Sequence, residues 1–156
     1  MFERGPASRL QMFRTAWISA PVLFLLNACT GVPQGWQEAK GATSAADPVS
    51  GAWAGEWHSE TNGHSGGLRA VATRTGPDSW QFHYRASWAK ILSAGFSMNA
   101  TAKPDAAGHW AVSGSKNLGK ALGGIFSCHG TIRGDAFSAR YTSKMDQGTM
   151  MMRRTR

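Results

Sequence analysis

The chain has 156 residues, enough for one domain with a true hydrophobic core and too few for two ordinary ones. Nineteen glycines, seven tryptophans and only six prolines suit many short strands joined by tight turns, and they argue against a fold of long helices. The formal charge is +8, but three of the 17 basic residues (Arg4, Arg9, Arg14) and one of the nine acidic ones (Glu3) precede residue 29, leaving +6 on the remainder.

The first 28 residues read as an export signal. Arginines at 4, 9 and 14 are followed by an apolar run over 16–26, broken only by Ser19 and Pro21. That run is well short of the roughly 20 residues a spanning helix needs. It ends in Leu26-Asn27-Ala28-Cys29, which resembles the lipobox of bacterial lipoproteins, with Asn27 departing from the usual small or β-branched residue. The resemblance implies that residues 1–28 are removed and that Cys29 carries a diacylglycerol thioether and an N-acyl chain. Two or three acyl chains hold a protein stably on a bilayer, whereas one does not. Thr30, where an aspartate would imply retention in the inner membrane, implies the periplasmic face of the outer membrane.

Residues 29–50 read as a lipidated tether, because 31–50 is rich in Gly, Ala, Pro, Ser and Thr without apolar periodicity. A coil of about twenty residues spans roughly 25 Å. Trp36 is its one large side chain, expected to be solvent-exposed or dipped into the membrane interface.

From residue 51 to 156 the pattern has period two, with turn residues every ten to twelve positions, and predicts eight antiparallel strands. The first, over 52–59, places Trp53, Gly55 and Trp57 on one face. The second, over 68–75, sets Leu68, Ala70 and Ala72 against Arg69, Val71 and Thr73. After the turn Gly76-Pro77-Asp78-Ser79, the third strand alternates Trp80, Phe82, Tyr84, Ala86 and Trp88 with Gln81, His83, Arg85 and Ser87. A connection over 89–95 has room for one helical turn. Phe96, Met98, Ala100 and Ala102 then define the fourth strand, and Trp110 and Val112 the inner face of the fifth. A glycine-rich corner over 119–124 leads to the sixth strand at 125–133. Phe137, Ala139 and Tyr141 mark the seventh, and 149–154 forms the eighth.

Eight consecutive strands without an intervening helix must manage their edges, and closure into an up-and-down barrel does so. The expected class is therefore all-β, an antiparallel meander barrel of about eight strands. Its inner face mixes aromatics with alanines. Alanine opposite tryptophan is either size compensation in a filled core or the mark of a pocket, here one lined by Trp80, Tyr84, Trp88, Phe96, Met98 and Tyr141.

Gly51-Ala52-Trp53 and Gly55-Glu56-Trp57 resemble the G-x-W motif of the lipocalin and calycin barrels. That resemblance implies a tryptophan, Trp53 or Trp57, closing the barrel floor under an arginine from the last strand, Arg153 or Arg154. A lipocalin carries a helix before its last strand, and none is expected here. Residues 51–154 are also similar to small exported β-rich bacterial proteins with Asp-x-Gly-Thr near the C-terminus, here Asp146-Gln147-Gly148-Thr149. That second resemblance implies no activity.

Other chemistry has a plainer explanation. Of the five histidines, His58, His83 and His109 fall on the solvent parity, and His64 and His129 lie near loops; their spacing fits no metal or haem pattern, so no cofactor is expected. After lipidation Cys128 is the only cysteine left, which excludes an internal disulfide. No nucleophile triad, carboxylate pair or phosphate loop stands out, so the expectation is no enzyme. The basic charge of an exported, tethered domain points to anionic lipid rather than nucleic acid. Two function classes follow: a membrane-anchored barrel holding a small apolar ligand, or a filled barrel acting on an envelope protein as an assembly factor or hydrolase inhibitor.

Overall fold

A computed structural model describes residues 32–42, 47–89 and 92–156; the proposed signal and Cys29 lie outside the described residues. The elements are α1 (Trp36–Ala39), β1 (Gly51–Ser59), β2 (Ser65–Gly76), β3 (Ser79–Trp88), β4 (Leu92–Pro104), β5 (Trp110–Asn117), a 3₁₀ turn (Lys120–Leu122), β6 (Ile125–Arg133), β7 (Ala136–Thr142) and β8 (Gln147–Arg154). The eight strands pair in chain order and close into one antiparallel barrel. Closure runs from Trp53 opposite Arg154 to Ser59 opposite Gly148, so neither edge strand is left open. This up-and-down barrel is lipocalin-like.

The alternation that predicts the strands also sorts their side chains. On β3, Trp80, Phe82 and Tyr84 are buried, while Gln81, His83 and Arg85 are half-exposed. The connection after β3 differs from the expected helical turn. Trp88 pairs with Leu92, and residues 92–95 already belong to β4. Ala89, directly after β3, takes the left-handed conformation at φ 50°.

The tether expected over 31–50 is not extended coil throughout. Trp36 is buried, not exposed, because α1 lies on the outside of β1 and β2 and packs the indole on Ala52 and Val71. The Arg69 guanidinium covers its ring at 5.7 Å. This docking explains why Val71, on the outward parity of β2, is also buried.

Residues 47–50 fold under the end of the barrel where β1, β3, β5 and β7 begin, and form its floor. Val49 is fully buried in the core, and the Trp53 indole N–H donates to its carbonyl at 3.0 Å. The Trp80 indole N–H donates to Asp47 Oδ1 and Ser50 Oγ, each at 3.2 Å, with Arg74 over the ring at 5.2 Å. Above the floor the interior is solid: Trp53 meets Phe137 edge-on at 5.9 Å, and Phe137 touches Phe82 at 6.0 Å. Among the described residues no helix is long and apolar enough to cross a membrane.

Candidate functional site

The barrel is filled at one end and hollow at the other. The aromatic contacts climb from Phe82 to Tyr84 (5.6 Å), Phe96 (5.2 Å), Phe126 (5.1 Å) and Tyr141 (5.6 Å), ending beside a cavity of about 280 Å³ at the mouth. Strand geometry puts these groups there. The mouth collects the last residues of β1, β3 and β7 and the first residues of β2, β4, β6 and β8. Trp57, Tyr84, Trp88, Phe96, Phe126 and Tyr141 supply the aromatic lining, and Leu68, Ala86 and Met150 the aliphatic part. His64 and Asp146 are its polar members. The volume sits at the lower bound of small-molecule sites, which run from about 300 Å³ upward, and exceeds the ~150 Å³ that holds benzene.

Two close approaches shape the mouth. The Trp57 indole lies across β2 and donates to the Ser87 carbonyl at 3.2 Å. A side chain at Gly66 would stand 2.9 Å from that indole nitrogen and 1.8 Å from the Ser87 oxygen, so glycine is required there. Asp146 ties the β7–β8 turn to the barrel: it accepts from Ser59 Oγ at 2.5 Å and from the Tyr141 hydroxyl at 2.9 Å. A side chain at Gly148 would lie 1.9 Å from the His58 carbonyl oxygen and 2.8 Å from the Tyr141 hydroxyl. The Asp-x-Gly-Thr segment thus has a structural reading, as the seam where β8 meets β1.

Burial sets the electrostatics of the lining. Burial, helped by the Asp146 carboxylate, pushes the Tyr141 hydroxyl above its ordinary value. Tyr84 is raised well above its own by burial, with Cys128 adding to it. The buried Cys128 thiol is pushed up to about 12, so it is neither ionised nor nucleophilic near neutral pH. Among the described residues no three His, Cys, Asp or Glu side chains gather to hold a metal ion. The arrangement can hold an apolar molecule in the mouth, and among the described residues it brings no activated nucleophile to the cavity.

The six residues expected to line a pocket divide by height. Tyr84, Trp88, Phe96 and Tyr141 surround the cavity. Trp80 lies at the floor and Met98 in the packed middle, 0% and 1% exposed respectively. Parity identifies the inner face but not the level, and Trp80 and Trp88 sit at opposite ends of a strand that rises roughly 3.3 Å per residue. Sequence reasoning missed Trp57, Leu68, Phe126 and Met150; counting inner positions back from each turn at the mouth end would have found them.

The tryptophans and arginines assigned to closure also separate. Arg154 lies over the Trp53 ring at 4.2 Å, whereas Arg153 points outward and is exposed. Trp57 takes no part in the floor, because it stands four residues further along β1, at the mouth. Of the histidines, His58 and His129 are exposed, His83 accepts or donates a hydrogen bond with Ser97 Oγ at 2.8 Å, and His109 pairs with Asp105 at 3.4 Å. Compared with known proteins, the chain matches no family model and no curated protein.

Proposed function

We propose that this protein is a lipid-anchored binding module of the bacterial cell envelope whose barrel holds a small apolar ligand in its mouth, without catalysing a reaction. The observation that supports it is the cavity of about 280 Å³ with its aromatic and aliphatic lining, set above a solid floor. A filled barrel has no reason to gather Trp57, Trp88, Phe96 and Phe126 around empty space, since an unfilled cavity costs packing energy. The anchor rests on the lipobox-like Leu26-Asn27-Ala28-Cys29, and the proposed site is the periplasmic face of the outer membrane. Mass spectrometry of the native protein tests the anchor: a mature N-terminus at Cys29 bearing acyl mass supports it, and any other N-terminus without acyl mass contradicts it. Thermal denaturation with a panel of apolar compounds tests the ligand, because a compound that binds the folded state raises the melting temperature as its concentration passes Kd.

A second reading, an envelope protein seated over the mouth, is favoured by one observation. Leu92 (49%), Ile125 (63%) and Met145 (62%) are exposed at that same end. It predicts no thermal shift with any small apolar compound.

A further inference from the structure

The rim of the barrel at the mouth end combines two kinds of exposed side chain. Of the four large apolar side chains exposed among the described residues, three stand there: Leu92 at the start of β4 (49%), Ile125 at the start of β6 (63%) and Met145 in the β7–β8 turn (62%). Trp88, half-exposed at the end of β3, adds an amphipathic ring to the same rim. Lys116 near the end of β5, Lys120 in the 3₁₀ turn and Lys144 in the β7–β8 turn are exposed around them, and none pairs with an acid among the described residues. The described acids of this end already have partners: Glu60 pairs with Arg140 at 2.6 Å, and Asp146 accepts from Ser59 and Tyr141. The opposite end differs. Its turns carry Asp78, Asp105 and Asp135 and expose no large apolar side chain.

Apolar tips set among unpaired lysines fit an anionic lipid surface better than a protein. A protein interface gathers its apolar residues into a buried centre that is depleted in lysine. A bilayer interface accepts scattered apolar tips and tryptophan rings, while its anionic head groups attract the lysines around them. The chain before the barrel leads the same way. The carbonyls of Ala39 and Ala42 lie beside Gly51 at the floor end, whereas Trp36 lies under Arg69, which pairs with Ala54 further toward the mouth. Followed toward its N-terminus, this segment therefore climbs the outer wall in the direction of the mouth. The proposed acylated Cys29 is three residues from Val32, a reach of at most about 11 Å.

Resting on the membrane address proposed above, we propose that the mouth end is the face that docks on an anionic bilayer. Leu92, Ile125 and Met145 enter the interface, and Lys116, Lys120 and Lys144 meet the head groups. Docked this way, the cavity opens onto lipid, so an apolar ligand passes between bilayer and barrel without crossing water.

The test is co-sedimentation of the acyl-free mature chain 29–156, carrying Cys29→Ser and retaining every described residue, with vesicles of phosphatidylcholine alone or mixed with phosphatidylglycerol. The chain should bind the mixed vesicles more tightly than the neutral ones, and less so as salt rises. Lys120→Glu with Lys144→Glu should lower the partition coefficient by about tenfold or more. Ile125→Ser with Met145→Ser should lower it by about as much. Arg133→Glu with Arg153→Glu makes the same change in net charge at the floor end and should lower it far less. All six positions are exposed, so each pair should leave thermal unfolding nearly unchanged. Equal binding to both kinds of vesicle, or equal loss from the two charge-reversed pairs, would overturn the docking face. Binding to neither would also overturn it, in favour of a protein partner over the same end. The anchor, read from acyl mass at Cys29, and the cavity, read from thermal shifts, stand or fall separately.

Discussion

Arg154 lies over the indole of Trp53, with the guanidinium carbon 4.2 Å from the ring centroid, and donates to the carbonyls of Pro48 and Ser50 while pairing with Asp135 at 3.3 Å. One side chain therefore joins the last strand, the first strand and the segment under the barrel. Its side chain is only 2% exposed, and burial draws its pKa down while Asp135 opposes that shift.

Arg154→Ala removes the ring contact and leaves two inward carbonyls without a donor, so it should lower the unfolding free energy by about 2–4 kcal/mol. Arg153→Ala, one residue away on the exposed face, should change it by less than about 0.5 kcal/mol. Urea unfolding of the two variants measures the difference. Equal effects would contradict the assignment of the floor to Arg154.

Gly148→Ala should destabilise far more than an exposed substitution, because its methyl would collide with the His58 carbonyl across the closing seam. Overpacking typically costs about 1–3 kcal/mol, and contact with fixed backbone places this variant at or above that range. Thermal unfolding monitored by circular dichroism checks it, with Gly76→Ala as a comparison, where an added methyl would meet only the Ser79 side chain at 3.5 Å.

Much of this was legible in the sequence. Eight strands, closure and the inner parity follow from alternation, while the G-x-W resemblance left the floor tryptophan open between Trp53 and Trp57. Three things were not. Trp36 hides in a segment of linker composition, and nothing in local pattern reveals that Ala52 and Val71 offer it a landing site. The floor plug at 47–50 depends on pairings across more than a hundred residues, such as Ser50 with Arg154. The split between a solid floor and a hollow mouth is a matter of volume, which the alternation of aromatics and alanines does not carry.

Tyr84→Phe should make the ligand-free protein more stable, by about 1 kcal/mol, since it deletes a buried hydroxyl without a partner and keeps the ring. A higher melting temperature in differential scanning calorimetry is the expected readout. A loss of stability would mean that the hydroxyl is satisfied in the folded protein.

Stability should fall in acid partly through the floor. Burial acts to raise the Asp47 pKa, but hydrogen bonds from Ser50, Trp80 and the Val49 backbone outweigh it and hold the carboxyl below its usual value of 3.8. The folded state therefore binds this proton less readily than the unfolded chain. Its contribution is complete above the unfolded pKa and is lost as the pH falls from about 4 through the lower folded value. Asp47→Asn should flatten the stability profile below pH ~4 relative to the parent protein. Asp105 and Asp135, also lowered, remain in both proteins and cancel in the comparison.

The central claim is that the mouth binds a small apolar molecule while the floor stays closed, and the indole N–H signals of the tryptophans test it most directly. Titration of the 15N-labelled protein with 2-naphthol should shift the Trp57 and Trp88 signals, which belong to the cavity lining. The Trp53 and Trp80 signals, buried under Arg154 and Arg74 at the other end, should stay in place. No shift at Trp57 and Trp88 up to saturating ligand, or shifts confined to Trp53 and Trp80, would contradict the account.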